Sequence, residues 1–156
     1  MRRLARALCG AVVAACALVG ATTATAAPGC AATVGDGFGP FGRGMPPVRA
    51  SIGKGHVLTG VVLSALDCRA IRGARVELWQ ANARGRYVRA TSATVLVDRS
   101  GRFRFEGPYP AAYGGGRPHI HLRVVAHGHE VLLTRYEPLR GARRGTLRLV
   151  LVPHAL

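Results

Sequence analysis

From residue 56 onward the chain is a succession of short β-type runs cut by turn residues, and no stretch holds a helical period for a useful length. The runs are His56 to Ala65, Ala74 to Gln80, Ala93 to Val97, Arg102 to Glu106, His119 to Ala126, Val131 to Tyr136 and Thr146 to Val152. Turn chemistry separates them: Asp67-Cys68-Arg69, Ile71-Arg72-Gly73, Asp98-Arg99-Ser100-Gly101 and His127-Gly128-His129. In the second run Val76 and Leu78 share one face and Arg75, Glu77 and Trp79 the other, as in a strand with one face toward a core. The pattern predicts an all-β fold, an antiparallel β-sandwich of about seven to nine short strands behind an irregular N-terminal arm. No internal repeat or low-complexity linker interrupts it.

At 156 residues the chain has room for a single domain. Arg2, Arg3 and Arg6 precede an apolar run from Ala7 to Gly20, and Ala24-Thr25-Ala26 follows. That order is a secretory signal peptide over residues 1–26, with an apolar stretch too short for a membrane span. Val13-Ala14-Ala15-Cys16 leaves a lipoprotein leader as an alternative, but a plain cleavage site fits the downstream residues better. The expected organisation is a leader over 1–26, a Gly- and Pro-rich arm over 27–55 lying across the body, and a β-sandwich domain over 56–156. The protein is then exported, periplasmic or secreted. Cys9 and Cys16 leave with the leader, and the remaining pair, Cys30 and Cys68, suits one disulfide in an oxidising compartment, with two free thiols as the alternative.

The formal charge is +15, carried almost wholly by arginine with Lys54 the single lysine. The arginines are scattered over strands and turns, without a basic helix or an aromatic-interleaved RNA motif. Nucleic-acid binding is therefore not expected. A diffuse cationic field that attracts anionic aromatic acids or envelope polymers is.

Chemistry concentrates in Arg117-Pro118-His119-Ile120-His121. Residues i and i+2 of a strand project from one face, so His119 and His121 can share a metal ion. Tyr113 lies shortly before them, and Tyr87 closes the run that starts at Trp79. Two imidazoles with two phenols suit Fe(III), because phenolate oxygen is a hard ligand. Plainer readings stand beside this one. A His-x-His pair is often two polar residues on a solvent face, Tyr109 and Tyr136 can be core edges, and Trp79 can be a core anchor. His56, His127, His129 and His154 read as surface residues. Neither Cys30 nor Cys68 is near a histidine in sequence, so a Cys/His zinc site is not expected.

Taken together, the motifs resemble the intradiol ring-cleavage dioxygenases, which open catechol and protocatechuate rings. The pieces are Gly60-Val61-Val62, Gly73 through Asn82, Gly85-Arg86-Tyr87, Asp98 through Phe103, Pro110-Ala111-Ala112-Tyr113 and His119-Ile120-His121, all in family order. Gly39-Pro40-Phe41 resembles the arm of the small secreted members. The resemblance implies a non-haem Fe(III) held by Tyr87, Tyr113, His119 and His121, with Tyr113 preferred over Tyr109 by its spacing to the histidines. It implies a catechol bound through both oxygens, one proton passing to Tyr113, and Arg117 stabilising charge that develops on the ring. O2 is inserted beside the hydroxyl-bearing carbons and a muconate-type diacid results.

Two departures bear on this. The family usually has two residues between the arginine and the first histidine, whereas here Pro118 alone intervenes. The family commonly shows a glutamine in Thr-Gln-x-Tyr where this chain has Thr134-Arg135-Tyr136. The chain also lacks the helical and inserted segments of longer members, which implies an open site suited to bulky, lignin-derived catechols. The alternatives are an exported β-sandwich module that binds metal or envelope without turnover, and a copper- or zinc-binding envelope protein.

Overall fold

The computed structural model describes residues 30–36, 39 and 44–155. The leader over 1–26 with Cys9 and Cys16, and Phe38, Pro40 and Phe41 of the arm, lie outside the described residues. Seven strands follow in order among the described residues: β1 His56–Ser64, β2 Arg75–Gln80, β3 Ser92–Leu96, β4 Arg102–Gly107, β5 Ile120–Val125, β6 Leu132–Tyr136 and β7 Arg144–Leu151. Each overlaps a run expected from alternation. A single 3-10 turn at Arg89–Thr91 precedes β3. No helix of the described residues is long and apolar enough to cross a membrane.

The strands form two sheets, β4-β1-β7 and β3-β2-β5-β6, the two layers of a sandwich. Alternation decides what lies between them. Leu58 and Val62 of β1, Phe103 and Phe105 of β4, and Leu149 and Leu151 of β7 face Val76 and Leu78 of β2, Ile120, Leu122 and Val124 of β5, and Leu132 of β6. Burying each such side chain contributes about 1.5–3 kcal/mol, so this layer carries the fold. Gly60 is the fitted exception in β1: a Cβ there would sit 2.5 Å from the Phe103 ring and 2.7 Å from the Leu147 carbonyl oxygen.

Among the seven strands, all pairings are antiparallel except β1 with β7, which run parallel. The cause is topological. β6 ends at Tyr136, and the short connection over 137–143 returns the chain to the other sheet at the end where β1 begins.

The described parts of the arm bind both layers. Thr33 N–H donates to the Val150 carbonyl (3.0 Å) and Asp36 N–H to that of Leu133 (3.0 Å), while Arg49 N–H donates to Thr94 (3.0 Å) and Ile52 N–H to Glu106 (2.9 Å). A disulfide joins Cys30 to Cys68, with Cα atoms 5.4 Å apart.

Two expectations for histidines are corrected. His56 is buried, not on the surface: as the first inward residue of β1 it stacks on Tyr136 (5.6 Å between ring centroids), and its Nδ1 bonds the Ala142 carbonyl oxygen at 2.7 Å. His129 is half-buried, its Nε2 lying 3.1 Å from the Ser64 hydroxyl. His127 and His154 are exposed.

Candidate metal centre

The site grows from the second face of β5. Because Ile120, Leu122 and Val124 enter the core, His119, His121 and Arg123 must point the other way. Register then places His121 between Trp79 of β2 and Arg135 of β6, and Arg123 beside Glu77. Trp79 is buried on this outer face and is not part of the central core cluster. Below it, the fully buried Glu77 accepts two hydrogen bonds from Arg123, from Nε and Nη2, each 2.7 Å, and Arg75 approaches at 3.7 Å. The Arg123 guanidinium lies 6.0 Å over the Trp79 ring.

Two loops deliver the phenols. After β2, the Asn82 Oδ1 accepts the backbone N–H groups of Arg84 (2.9 Å) and Arg86 (3.0 Å), which folds the loop into a tight turn carrying Tyr87. Gly85 sits in this turn at φ +69°, and a Cβ there would stand 3.1 Å from the Tyr113 Cβ. Glycine is thus required twice, by the left-handed backbone and by the close approach of the second loop. Arg49 of the arm clamps the far end of the Tyr87 loop, donating to the carbonyl oxygens of Arg89 (2.7 Å), Ala90 (3.1 Å) and Ser92 (2.6 Å). The β4–β5 loop turns through Gly114 and Gly115 and supplies Tyr113.

The structure brings Tyr87, Tyr113, His119 and His121 together. The two phenol oxygens are 2.5 Å apart, each lies 3.3 or 3.4 Å from His119 Nε2, and the Nε2 atoms of His119 and His121 are 3.0 Å apart. His119 Nδ1 donates to the Arg117 carbonyl oxygen at 2.7 Å, which leaves the lone pair of Nε2 facing the cluster. Both histidines are buried and both tyrosines half-buried. Burial raises the Tyr87 pKa well above the ordinary phenol value, and the hydrogen bond and charge of Tyr113 raise it further.

This donor set fits a metal ion. Ligands about 2.0–2.2 Å from one ion, at tetrahedral to right angles, lie roughly 3.0–3.5 Å from one another. The three separations that involve a histidine nitrogen fall in that range, while the two phenols are closer because they share a hydrogen bond. Four groups that can each offer a lone pair converge on one point, as a site for a cation requires. Among the described residues no three His, Cys, Asp or Glu side chains make an alternative cluster. Tyr109 stays out of the group, its hydroxyl donating to the Leu139 carbonyl oxygen at 3.2 Å.

Arg117 meets the cluster through its carbonyl oxygen, and its side chain is exposed. Arg135, directly opposite His121, is held by Glu137 (3.1 Å) and Asp36 (3.4 Å). Asn82, Gly85 and Arg49 were not singled out by sequence as parts of the site. For the first two the turn-forming pair Asn82…Gly85 ahead of Tyr87 was the available signal. Arg49 carried none, since its partners are backbone carbonyls some forty residues away.

No protein-family model matches the chain. In sequence it is 30% identical to a catechol 1,2-dioxygenase of Acinetobacter baylyi, over 53% of this chain and 36% of that enzyme, so it spans little more than a third of its relative's length. In structure it is similar to the dioxygenase domain of a dioxygenase–carbohydrate-binding protein fusion from the cellulolytic bacterium Streptomyces sp. SirexAA-E, with a TM-score of 0.69, 22% identity, and 80% of this chain and 100% of that one covered. An intradiol ring-cleavage dioxygenase from Tetranychus urticae gives a TM-score of 0.64 at 19% identity, covering 77% and 93%. Chlorocatechol 1,2-dioxygenase from Pseudomonas putida gives 0.61 at 20%, covering 73% and 70%. The resemblance carried by the motifs is therefore met twice, for the chain is similar in sequence to an intradiol ring-cleavage dioxygenase and shares the β-sandwich fold of that family.

Proposed function

We propose that the chain is a non-haem Fe(III) intradiol dioxygenase, converting a catecholic ring and O2 to a muconate-type diacid. The observation that carries this reading is the convergence of Tyr87, Tyr113, His119 and His121. Two hard anionic oxygens and two imidazoles favour ferric iron over the softer divalent ions. Ferric iron, when bound, supplies the Lewis acidity that deprotonates a catechol and makes its ring open to O2.

The residues supply the rest. Burial, with the hydrogen bond and charge of Tyr113, keeps Tyr87 a neutral phenol, so its proton leaves only when a cation takes its place. His119 is held in the productive tautomer by the Arg117 carbonyl oxygen. Tyr113, half-buried on a glycine-rich loop, accepts a substrate proton at Oη, the role the family resemblance assigns it. The Arg117 guanidinium stabilises negative charge on the ring. Export after removal of the leader belongs to the proposal, resting on Arg2, Arg3, Arg6 and the apolar run that follows. Lignin-derived catechols belong to the proposal as its substrate class.

The test is a visible spectrum and metal analysis of the purified protein, before and after adding catechol under air. A tyrosinate-to-iron band that shifts with catechol and returns as O2 is consumed supports the reading. Tyr87→Phe and His121→Ala each deplete the iron or its colour. Full iron and activity in both variants, or a colourless wild type after reconstitution, ends the assignment. Iron with a catechol shift and no oxygen uptake favours a metal-binding module without turnover.

A further inference from the structure

The outer face of the β4-β1-β7 layer gathers charge that the metal centre does not use. Leu58, Val62, Phe103, Phe105 and Leu149 enter the core, so their neighbours along β1, β4 and β7 point outward. Register sets those neighbours in three rows across the sheet. Arg102 and Arg148 flank Val61, Arg104 and Thr146 flank Thr59, and Glu106 and Arg144 flank Val57. From strand spacing and rise, the four arginine positions frame a patch of roughly 10 Å by 13 Å.

All four arginines are exposed. Arg104 pairs with Glu106 at 3.0 Å, and Arg148 lies 3.5 Å from the Cys68 sulfur. Among the described residues, Arg102, Arg144 and Arg148 have no acidic partner within salt-bridge distance. Four guanidiniums against Glu106 leave a surplus of three on the face. Asp98, at the rim, already accepts the backbone N–H groups of Ser100 and Arg102, each at 2.8 Å. A groove of about 510 Å³ lies beside Arg102 and Arg104, with Thr59, Gly60, Val61 and Thr146 among its walls. The Thr59 and Thr146 hydroxyls there are 3.2 Å apart.

The partner that fits is extended, anionic and hydroxylated. Among the described residues no aromatic ring belongs to the outward rows, so nucleobases find no stacking platform. The face is a sheet surface without a helix or ribbon to enter a duplex groove. None of the exposed large hydrophobic residues belongs to β1, β4 or β7, so the face has nothing to insert into a lipid surface. Arginine forks take carboxylates bidentately, and threonine hydroxyls pair with sugar hydroxyls.

We propose that this face binds a polyuronate, an acidic polysaccharide whose carboxylates repeat along the chain. Arg102, Arg104, Arg144 and Arg148 are its anchors, and the polymer tethers the protein while the metal centre, on the other sheet, stays free. The proposal stands apart from the dioxygenase reading, since no residue is shared between the two sites.

The test titrates the full chain with polygalacturonate and with its fully methyl-esterified form, by calorimetry at about 0.15 M salt. The acid form should bind about tenfold more tightly than the ester. Arg102→Gln with Arg148→Gln should weaken binding of the acid form about tenfold. Arg84→Gln with Arg89→Gln removes the same charge from the Tyr87 loop and should change it less than about twofold. Raising the salt to about 0.5 M should weaken wild-type binding, a result that needs no variant to fold. Equal binding of acid and ester would overturn the proposal by leaving the carboxylates no role. Equal losses in the two double variants would overturn it by reducing the effect to net charge. Duplex DNA bound as tightly per charge as polygalacturonate would overturn it as well, by showing a general anion surface.

Discussion

Gly85 and Gly73 make a matched pair for testing what holds the metal centre together. Both adopt left-handed backbone, at φ +69° and +70°. An alanine in that region costs about 1–2 kcal/mol at either position. They differ in their surroundings: a Cβ at Gly73 meets nothing within 4 Å, whereas one at Gly85 meets the Tyr113 Cβ at 3.1 Å. Relieving that contact moves one loop by a few tenths of an ångström, against a pair of phenols only 2.5 Å apart. Gly73→Ala should therefore lose about 1–2 kcal/mol and keep its metal. Gly85→Ala should lose about 2–4 kcal/mol, adding the cost of overpacking, and bind iron more weakly. Thermal unfolding of the metal-free proteins gives the first quantity, with shifts of roughly 2–8 °C per kcal/mol expected for a chain of this size. Iron per chain after reconstitution in limiting metal gives the second. If both variants keep the same iron occupancy, the Gly85–Tyr113 contact does not position the site and the reasoning fails.

Replacing Cys30 and Cys68 by alanine should cost about 4 kcal/mol from the 38-residue separation they span, read as a lower urea midpoint, and an unchanged midpoint would contradict the disulfide's role. Glu77→Ala strands the Arg123 guanidinium beside Trp79 and should cost about 2–4 kcal/mol by chemical denaturation, with Glu77→Gln losing less; a loss below about 1 kcal/mol would show the buried pair to be unimportant. Burial, with a smaller contribution from Tyr109, raises the Tyr136 pKa above the ordinary 10.0. Above about pH 10 the unfolded chain releases this proton while the folded chain keeps it, so stability falls as pH rises. Denaturation at pH 9 and 11 should show that fall in the wild type and a smaller one in Tyr136→Phe, and equal slopes would refute it.

Strands were legible because their signal is local. Val76 and Leu78 against Arg75, Glu77 and Trp79 declare a half-buried strand without reference to the rest of the chain. The cluster was legible for a related reason, since His119 and His121 share a face by spacing alone, although the two tyrosines came from family resemblance rather than from geometry. What stayed hidden depends on partners distant in sequence. The parallel pairing of β1 with β7 is set by where the chain re-enters a sheet, which no window of residues reports. His56 was misread because a histidine opening a strand looks solvent-facing, yet it shares parity with the buried Leu58 and Val62. Arg49 acts through backbone carbonyls and leaves no motif.

One strand, β5, explains why a site of this kind coexists with a stable sandwich. Its even residues complete the core while its odd residues, His121 and Arg123, face the opposite side, so polar donors are gathered without one entering the hydrophobic layer. The desolvation cost falls on the outer face, where loops and Trp79 cover the cluster. That cover makes the bare cluster costly: two imidazole nitrogens stand 3.0 Å apart, and burial with the Tyr113 contact disfavours ionisation of Tyr87. A bound cation relieves both at once, and its binding free energy adds to the stability of the fold. The glycine turns and the Arg49 clamp belong to the same logic, because loops that must hold four donor groups at fixed positions need restraints supplied from outside the cluster.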